Sequence, residues 1–345
     1  MKDGGEKSTG LTMTFRESDI RPNHLMQGQA AAYAADIHGL LQHKGDFVHV
    51  PCPACQAENG RKAFEKYELT YMVCLDCGTM YINPRPTPAI LDTYYATSEN
   101  YQYWNKYIFP ASQEARRKKI FRSRAERIAD ICRRNNIKNG VLLEVGAGFG
   151  TFCEEIQRLE IFRRVIAVEP TPDLAETCRR KGIEVIEKPI EQVRLENDTV
   201  DVVANFEVIE HLFSPRDFLH SCASVLSPGG LLVITCPNVR GFDILVLQDG
   251  SDSVDTEHLN YFHPASLSHL VEQCGFEVLE VLTPGKLDAE LVRNKILGGE
   301  FDVSSQPFLK QILIDEWERV GDSLQKFLAE NMLSSHMWLI GRKQI

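Results

Sequence analysis

The chain has 345 residues, of which 43% are hydrophobic and 25% are charged, and its net charge is −10. This length allows one large domain and a small one. The negative charge argues against a protein that mainly binds nucleic-acid phosphates. No apolar run approaches the roughly 18 residues of a membrane helix, and the first residues lack the apolar stretch of a secretory signal. We therefore expect a cytoplasmic protein without membrane contact.

Two Cys-x-x-Cys pairs stand near the start of the chain, Cys52 with Cys55 and Cys74 with Cys77. They are separated by 18 residues. Two such turns can present four thiolates to one Zn²⁺ as a tetrahedron, which leaves no open position for catalysis. The strands expected around them, 64–73 and 79–82, would form a ribbon too small to fold without metal. This pattern predicts a structural zinc ribbon.

Tyrosines crowd the segment after the ribbon, and a basic stretch follows between Arg116 and Lys138, with ten Lys and Arg residues. Ile120, Ile128 and Ile131 give this stretch an apolar face at helical spacing. We interpret it as an outer helix with a solvated charged face, in preference to an anion-binding patch.

From Val141 onward strands alternate with helices, which predicts an α/β domain with a mainly parallel sheet. Strands are expected at 141–145, 164–168, 183–186, 200–205, 231–236, 276–282 and 336–342. Helices are expected at 150–159, 172–181, 215–226 and 264–274, and Pro307 to Leu333 has an amphipathic helical pattern. We divide the chain into an extension with a short helix at 30–41 (1–46), the zinc ribbon (47–88), and a domain with a helical insertion at about 287–334 (89–345). The insertion is a candidate lid or homodimer contact.

The first strand of this domain runs into a glycine-rich turn, Gly146-Ala147-Gly148-Phe149-Gly150. Glycine lets the backbone turn sharply and lets a ligand approach the main chain, as in nucleotide-binding strand–loop–helix units. Glu169 ends the second strand, where a carboxylate can accept hydrogen bonds from a ribose diol. Glu144, two residues before the first glycine, suits a ligand with an ammonium and a sulfonium group. An NAD-binding domain is the alternative.

Four motifs together resemble the class I S-adenosylmethionine-dependent methyltransferases: Glu144 to Gly150, Val168 to Pro170, Glu207 to His211, and Ser227 to Gly230. The resemblance covers residues 112 to 285 and the final strand. It implies a Rossmann-like α/β fold of seven strands in the order 3-2-1-4-5-7-6, with strand 7 antiparallel. It also implies that S-adenosylmethionine is held by residues of the glycine loop and the strand ends, namely Glu144, Gly146, Ala147, Gly148, Gly150, Glu169, Pro170, Asn205 and Phe206.

A second resemblance concerns Glu257-His258-Leu259-Asn260-Tyr261-Phe262, which is similar to the Glu-His-x-x-Tyr-Phe stretch of sugar C-methyltransferases that act on nucleotide-linked deoxysugars. It implies that Glu257 and His258 are catalytic, with Tyr95 or Tyr101 as the family's N-terminal catalytic tyrosine. A general base is needed if the acceptor is a hydroxyl or a carbon acid. The alternative for His258 is a loop histidine that holds backbone carbonyls.

Glu207, Glu210 and His211 form a run similar to one in ubiquinone-pathway O-methyltransferases, where it is associated with a divalent ion. Oxygen-rich sites of this kind suit Mg²⁺. We favour the alternative that Glu207 lines the substrate side, while Glu210 and His211 fix the start of a helix. Glu207 and His211 are nevertheless kept as catalytic candidates, beside Glu257 and His258.

The sequence predicts an S-adenosylmethionine-dependent methyltransferase for a small-molecule or glycan-precursor acceptor. A nucleotide-linked sugar fits Glu257-His258, and its diphosphate could meet the basic helix. An RNA methyltransferase that grips a stem-loop with its zinc ribbon is the alternative. The strand end Asn205-Phe206-Glu207 argues against it, because amino-group methyltransferases for nucleic acid usually have Asn-Pro-Pro-aromatic there. The complete glycine loop and Glu169 argue against an inactive scaffold.

Overall fold

The computed structural model describes residues 15–195 and 199–344, so the first 14 residues of the predicted extension lie outside the described part. The strands are β1 (Gly60–Lys66), β2 (Leu69–Cys74), β3 (Met80–Ile82), β4 (Gly140–Val145), β5 (Phe162–Val168), β6 (Glu184–Ile186), β7 (Val200–Phe206), β8 (Leu226–Pro237), β9 (Asn260–Tyr261), β10 (Phe276–Leu282) and β11 (His336–Lys343). The helices are α1 (Asn23–Leu41), α2 (Pro88–Thr97), α3 (Glu99–Tyr103), α4 (Phe109–Arg116), α5 (Arg122–Arg134), α6 (Thr151–Gln157), α7 (Pro172–Arg180), α8 (Pro215–Val225), α9 (Phe242–Leu247), α10 (Pro264–Gln273), α11 (Asp288–Leu297), α12 (Pro307–Lys310) and α13 (Trp317–Glu330).

The main sheet has seven strands in the spatial order β10-β11-β8-β7-β4-β5-β6. Strands β4 to β8 run parallel, and β11 lies antiparallel between β8 and β10. Numbered from 1 to 7 in chain order, these strands give the order 3-2-1-4-5-7-6. Strand β8 begins at Leu226, five residues before the predicted start, and its register against β7 shifts at the Ser227–Gly230 turn. Buried apolar residues fill both faces of the sheet, as parallel strands require.

A second, antiparallel sheet has the order β1-β2-β3-β9. The strand predicted at 64–73 is wrong in one respect, because the chain turns back at Tyr67 and Glu68, which have φ values of 51° and 57°. The turn was not predicted because these residues lack the usual Asn-Gly or Asp-Gly signature. Strand β9 belongs to the later part of the chain, so the cysteine-bearing sheet is completed by the domain on which it packs.

Five of the described α-helices, α1 to α5, precede the main sheet in the chain. Helix α1 begins at Asn23, seven residues before the predicted start. The tyrosine-rich segment, for which we predicted no helix, forms α2 and α3. Two π-helical turns, Trp104–Ile108 and Arg117–Phe121, join α3, α4 and α5. Helix α4 reaches the glycine loop, where Phe109 packs against Phe149, and α5 packs against α6.

The predicted insertion consists of α11, α12 and α13, with a π-helical turn at Gln311–Asp315. The helix predicted over 307–333 is therefore interrupted near Glu316. Together with α9 these helices enclose a small apolar cluster of their own around Val292 and Leu313. Among the described residues we find no helix that has both the length and the apolar character needed to span a membrane.

Candidate functional site

The glycine loop follows β4 at the carboxyl edge of the parallel strands, where ligands bind in open α/β sheets. Gly146, Gly148 and Gly150 have φ values of 76°, 55° and 66°, a region that other residues rarely adopt. A Cβ on Gly146 would come within 2.6 Å of Val208, and one on Gly150 within 2.5 Å of Ile183. A Cβ on Gly148 would meet nothing within 4 Å, so this position faces open space.

Glu169 lies at the end of β5, and its side chain closes the glycine loop. Its Oε2 accepts a hydrogen bond from the Gly148 backbone N–H at 2.8 Å, and its Oε1 accepts one from the Thr171 N–H at 2.9 Å. Burial raises the pKa of this carboxyl, although both backbone donors favour its charged form. Each carboxylate oxygen has a second lone pair. The residue can therefore hold the loop and still accept a bond from a ligand hydroxyl.

Glu144 is buried and faces helix α6. The Cys153 thiol donates to its Oε2 at 2.9 Å, and burial raises the pKa of this carboxyl to about 8. The structure thus places Glu144 beneath the loop, and its contact with a ligand's ammonium group stays a prediction.

Three further cofactor residues occupy different surroundings. Asn205 is fully buried at the end of β7, and its Oδ1 has no hydrogen-bond partner among the described residues. Phe206 packs against Phe152 and Trp338. Ala147 is buried in the loop, and Pro170 is exposed beyond the end of β5.

A cavity of about 620 Å³ lies beside this edge of the sheet. The predicted catalytic residues Glu207, His211, Glu257 and His258 all line it, although they come from two segments about 46 residues apart in the chain. Sites for small molecules typically have volumes of roughly 300–1,000 Å³, and this cavity falls in that range. The structure therefore brings all four predicted catalytic residues to one place.

Glu257 is held by two donors that meet at the same oxygen. The Tyr94 hydroxyl donates to Oε1 at 2.9 Å, and the Asn100 amide Nδ2 donates to it at 3.0 Å. Burial and the nearby Asp255 carboxylate raise the pKa of Glu257 to about 7, in spite of these donors. A carboxyl with this pKa can accept or release a proton near neutral pH.

His258 is oriented through one ring nitrogen. Its Nδ1 lies 3.1 Å from Asp255 Oδ2 and 3.1 Å from the Ser253 carbonyl oxygen. Both neighbours are acceptors, so we assign the proton to Nδ1, which leaves Nε2 as the proton acceptor. His258 thus contacts a backbone carbonyl, as in the alternative role predicted for it. This contact uses Nδ1 and does not occupy Nε2.

His211 packs against His258, with ring centroids 4.6 Å apart. Its Nδ1 lies 3.2 Å from the Glu257 carbonyl oxygen and 3.3 Å from the Tyr95 hydroxyl. Burial lowers the pKa of His211 well below its usual value, so the ring is neutral. Of the tyrosines named from the sequence, Tyr95 touches His211 and Tyr101 lines the cavity, whereas Tyr94 is the one that donates to Glu257.

Glu207 occupies a strained position at the end of β7, with a φ of 56°. It accepts a hydrogen bond from the Thr235 hydroxyl at 2.6 Å, and Arg124 and His336 lie within 3.4 Å of Oε1. Burial opposes ionisation, but His336, Arg124 and Thr235 together lower the pKa of Glu207 below its usual value. These partners favour the ionised form of Glu207 on the cavity wall, and its place on the substrate side stays a prediction.

We predicted that the charged face of the basic stretch is solvated. This prediction is wrong for four of its residues. Arg116, Lys119, Arg124 and Arg127 lie on one helical stripe and line the cavity. Arg117 and Arg122 instead pair with Glu154 and Glu155 on α6. Basic residues of this stripe therefore line the same cavity as the loop that carries Glu257 and His258.

The predicted Mg²⁺ ligands do not form one set. Glu210, His211 and His258 have ligand atoms within 4.8 Å of one another, but Glu207 is bound to its own partners. Glu210 is fully buried with both carboxylate oxygens unpartnered among the described residues, and burial raises its pKa well above the usual value. Mg²⁺ takes oxygen ligands, and this group offers one carboxylate and two imidazoles. We assign no ion to it.

The four cysteines of the predicted zinc site do come together. All four sulfur atoms lie within 4.8 Å of one another, and the Cys52–Cys77 and Cys55–Cys74 sulfur pairs are each 3.5 Å apart. A tetrahedron with Zn–S bonds of about 2.3 Å has sulfur atoms about 3.8 Å apart, so these residues fit a zinc ion. Gly78, with a φ of 78°, makes the turn after the second pair.

Comparisons with known proteins place these features in a family. Residues 113–281 match the family model described as "Methyltransferase domain". A "Ubiquinone biosynthesis O-methyltransferase" of Caulobacter sp. is 35% identical over 189 residues, which cover 52% of this chain and 67% of that protein. A "Probable S-adenosylmethionine-dependent methyltransferase" of Mycolicibacterium smegmatis is 31% identical over 41% of this chain. The match covers 53% of that relative, so the chain spans about half of its length.

A solved S-adenosylmethionine-dependent methyltransferase of Thermotoga maritima aligns with 71% of this chain and 94% of its own, at 17% identity and a TM-score of 0.44. The residues that match the family model, 113–281, include the glycine loop, Glu169 and Glu207. The chain therefore belongs to the S-adenosylmethionine-dependent methyltransferases.

Proposed function

We propose that the protein transfers a methyl group from S-adenosylmethionine to a small-molecule acceptor, and that the acceptor is a nucleotide-linked sugar. The observation that supports this most is the cavity, which is lined both by proton-accepting groups and by basic residues. The acceptor's reacting group would lie against Glu257 and His258, and its diphosphate against Arg116, Lys119 and Arg127.

The residues of the glycine loop fit S-adenosylmethionine. The open space at Gly148 leaves room for the ligand to approach the main chain, and Glu169 can accept a ribose hydroxyl. When bound, the cofactor supplies a methyl group activated by its sulfonium. The protein's own part is to align the acceptor with that methyl group and to exclude water.

Glu257 and His258 manage the acceptor's proton. A hydroxyl or a carbon acid must lose its proton as it attacks the methyl carbon, and either Glu257 or Nε2 of His258 can take it. Glu207 stays ionised at the end of β7, beside Arg124. The name of the Caulobacter relative supports oxygen as the accepting atom, and the resemblance of Glu257-His258 to sugar C-methyltransferases supports carbon.

The first test concerns the cofactor. Gly148→Arg should weaken S-adenosylhomocysteine binding about a hundredfold or more, because the side chain fills the open space and strains the loop. Isothermal calorimetry measures this. Gly182→Arg is the matched control, because Gly182 also has a positive φ, 76°, with nothing within 4 Å of a Cβ, and it is exposed outside the cavity. Equal affinity in Gly148→Arg, or NAD binding in place of S-adenosylhomocysteine, would contradict the assignment.

The second test concerns the acceptor. We expect methyl transfer from radiolabelled S-adenosylmethionine to at least one member of a panel of nucleotide sugars, with none to the matching free sugars, because these lack the diphosphate. Arg127→Gln should raise the KM for that acceptor. Transfer to tRNA or rRNA, with affinity falling steeply as salt rises, would instead favour the RNA methyltransferase alternative.

A further inference from the structure

Helix α1 carries three polar side chains on one face. Gln29, Tyr33 and Asp36 are spaced by four and three residues, which places them on one side of a helix. Each makes a hydrogen bond to a residue more than 60 positions away in the chain. Gln29 and Asp36 bond to the segment 98–100, and Tyr33 bonds to Thr256, which precedes Glu257. A helix packed only for stability would present apolar residues here.

Asp36 fixes the start of helix α3. It is 8% exposed, and its two carboxylate oxygens accept hydrogen bonds from the Glu99 N–H at 2.8 Å and the Asn100 N–H at 3.0 Å. The Ser98 hydroxyl also donates to it. These bonds satisfy backbone donors that a helix start leaves unpaired. Asp36 therefore sets the position of Asn100.

Gln29 sets which way the Asn100 amide points. The Gln29 Nε2 donates to Asn100 Oδ1 at 2.9 Å. Because the amide oxygen is taken by this donor, the amide nitrogen is the end that faces Glu257, and it donates to Oε1 at 3.0 Å. An amide turned the other way would put two donors together at the Gln29 contact and two acceptors together at the Glu257 contact.

Tyr33 holds the backbone beside Glu257. Its hydroxyl oxygen accepts a hydrogen bond from the Thr256 N–H at 2.9 Å and lies 3.1 Å from the Thr256 hydroxyl. Thr256 directly precedes Glu257 in the chain. The tyrosine therefore limits the movement of the loop that carries both Glu257 and His258.

We propose that Gln29, Tyr33 and Asp36 are positioning residues for the acid–base group of the acceptor site. Gln29 and Asp36 act through Asn100, which donates to Oε1 of Glu257 beside Tyr94, and Tyr33 acts through Thr256, so that Oε2 is left for the acceptor's proton. Both hydrogen bonds to the carboxylate arrive at Oε1, and Oε2 receives none from the described residues. Glu257 lines the cavity, so its second oxygen is the one available there. The catalytic part of this inference rests on the proposed function.

The test measures the titration of Glu257 in the whole protein by carbon-13 NMR of labelled glutamate carboxyls, with Glu257→Gln identifying the signal. The titratable groups around Glu257 are Tyr33 of α1, Tyr94 and Tyr95 of α2, Tyr101 of α3, His211, and Asp255 and His258 of its own loop. Its pKa is expected at about 7. Asn100→Ala removes a donor to the charged form and should raise this pKa by roughly one unit.

Gln29→Met should raise the pKa of Glu257 in the same direction, because the Asn100 amide loses the contact that orients it. The double variant Gln29→Met/Asn100→Ala should have the same Glu257 pKa as Asn100→Ala alone, since Gln29 acts through Asn100. Gln27→Met, on the exposed side of α1, is the matched control and should change nothing. Asn100→Ser replaces Asn100→Ala if the latter does not fold.

An unchanged titration in Gln29→Met, or additive shifts in the double variant, would overturn the role of α1. The measurement needs neither cofactor nor acceptor. Failure of the proposed function would appear separately, as absent S-adenosylhomocysteine binding in calorimetry. With an acceptor from the nucleotide-sugar panel, Gln29→Met should lower kcat about tenfold and leave KM unchanged. Because unfolded protein would also lower the apparent kcat, kcat is calculated per S-adenosylhomocysteine-binding site counted by calorimetry.

Discussion

Glu257→Gln is expected to lower methyl transfer by about 10²–10⁴-fold while S-adenosylhomocysteine still binds. The amide keeps the size of the side chain, and its oxygen can still accept from Tyr94 and Asn100. It cannot take a proton from the acceptor. The measurement is kcat with the acceptor identified from the panel, together with calorimetry on the same protein sample.

His258→Ala separates the two proton acceptors. If His258 Nε2 is the base, this variant should lose as much activity as Glu257→Gln; if Glu257 is the base, it should lose less. Glu99→Gln is the matched control for Glu257→Gln, because the side chain of Glu99 is exposed on α3 close to Asn100. Unchanged turnover in both Glu257→Gln and His258→Ala would remove this pair from the mechanism.

The pH dependence has a definite sign. Burial and Asp255 raise the pKa of Glu257 to about 7, and a general base works only in its deprotonated form. Turnover should therefore fall as the pH drops through about 7. The same fall should be absent from the residual activity of Glu257→Gln.

The sequence predicts the parts of this molecule that depend on local patterns. The strand–glycine loop–helix unit, the carboxylate that ends β5 and the two Cys-x-x-Cys pairs each lie within a few residues, so their spacing alone restricts their geometry. The predicted strands of the main sheet agree with the structure to within a few residues, except at β8, where the Ser227–Gly230 turn is part of the strand.

The polar network around Glu257 could not be predicted in the same way. Tyr94 and Asn100 reach Glu257 across 163 and 157 residues, and Tyr33 reaches Thr256 across 223. No periodicity connects such positions. The tyrosine cluster was the available signal, and the polar positions 29, 33 and 36 on one face of a helix were a second one. Likewise, four residues of the basic stretch line the cavity. The order of charges along the sequence does not show which side of a helix borders a cavity.

Arg85 joins the cysteine-bearing sheet to the loops of the proposed acceptor site. This residue is fully buried, and it donates to the carbonyl oxygens of Ile82, Phe213 and Leu259 and to Asn260 Oδ1. Asn260 in turn donates from Nδ2 to the carbonyl oxygens of Ile209, Glu210 and Leu212. One end of this network is the strand after the second cysteine pair. The other end is the backbone on both sides of the proposed acceptor site.

We propose that zinc binds the four cysteines, and its loss should then destabilise more than the cysteine-bearing sheet. Cys52 and Cys74 belong to the same apolar cluster as Phe262 and Leu267 of the larger domain. Structural zinc sites contribute roughly 10–16 kcal/mol of apparent binding free energy in isolated zinc-finger peptides. Part of that free energy would here support β9, which directly follows the Asp255–Leu259 loop.

Cys74→Ser is expected to reduce zinc from about one ion per chain to none, as measured by elemental analysis. Its thermal unfolding midpoint should fall by about 10 °C or more, since each kcal/mol corresponds to a few degrees in a domain of this size. Methyl transfer should fall with it, because β9 no longer fixes the loop that carries Glu257 and His258. Cys132→Ser is the control: Cys132 is equally buried on α5 but lies outside the cysteine group, so this variant should keep its zinc and most of its stability. A Cys74→Ser protein that retains one zinc ion per chain would show that the four cysteines do not form the metal site.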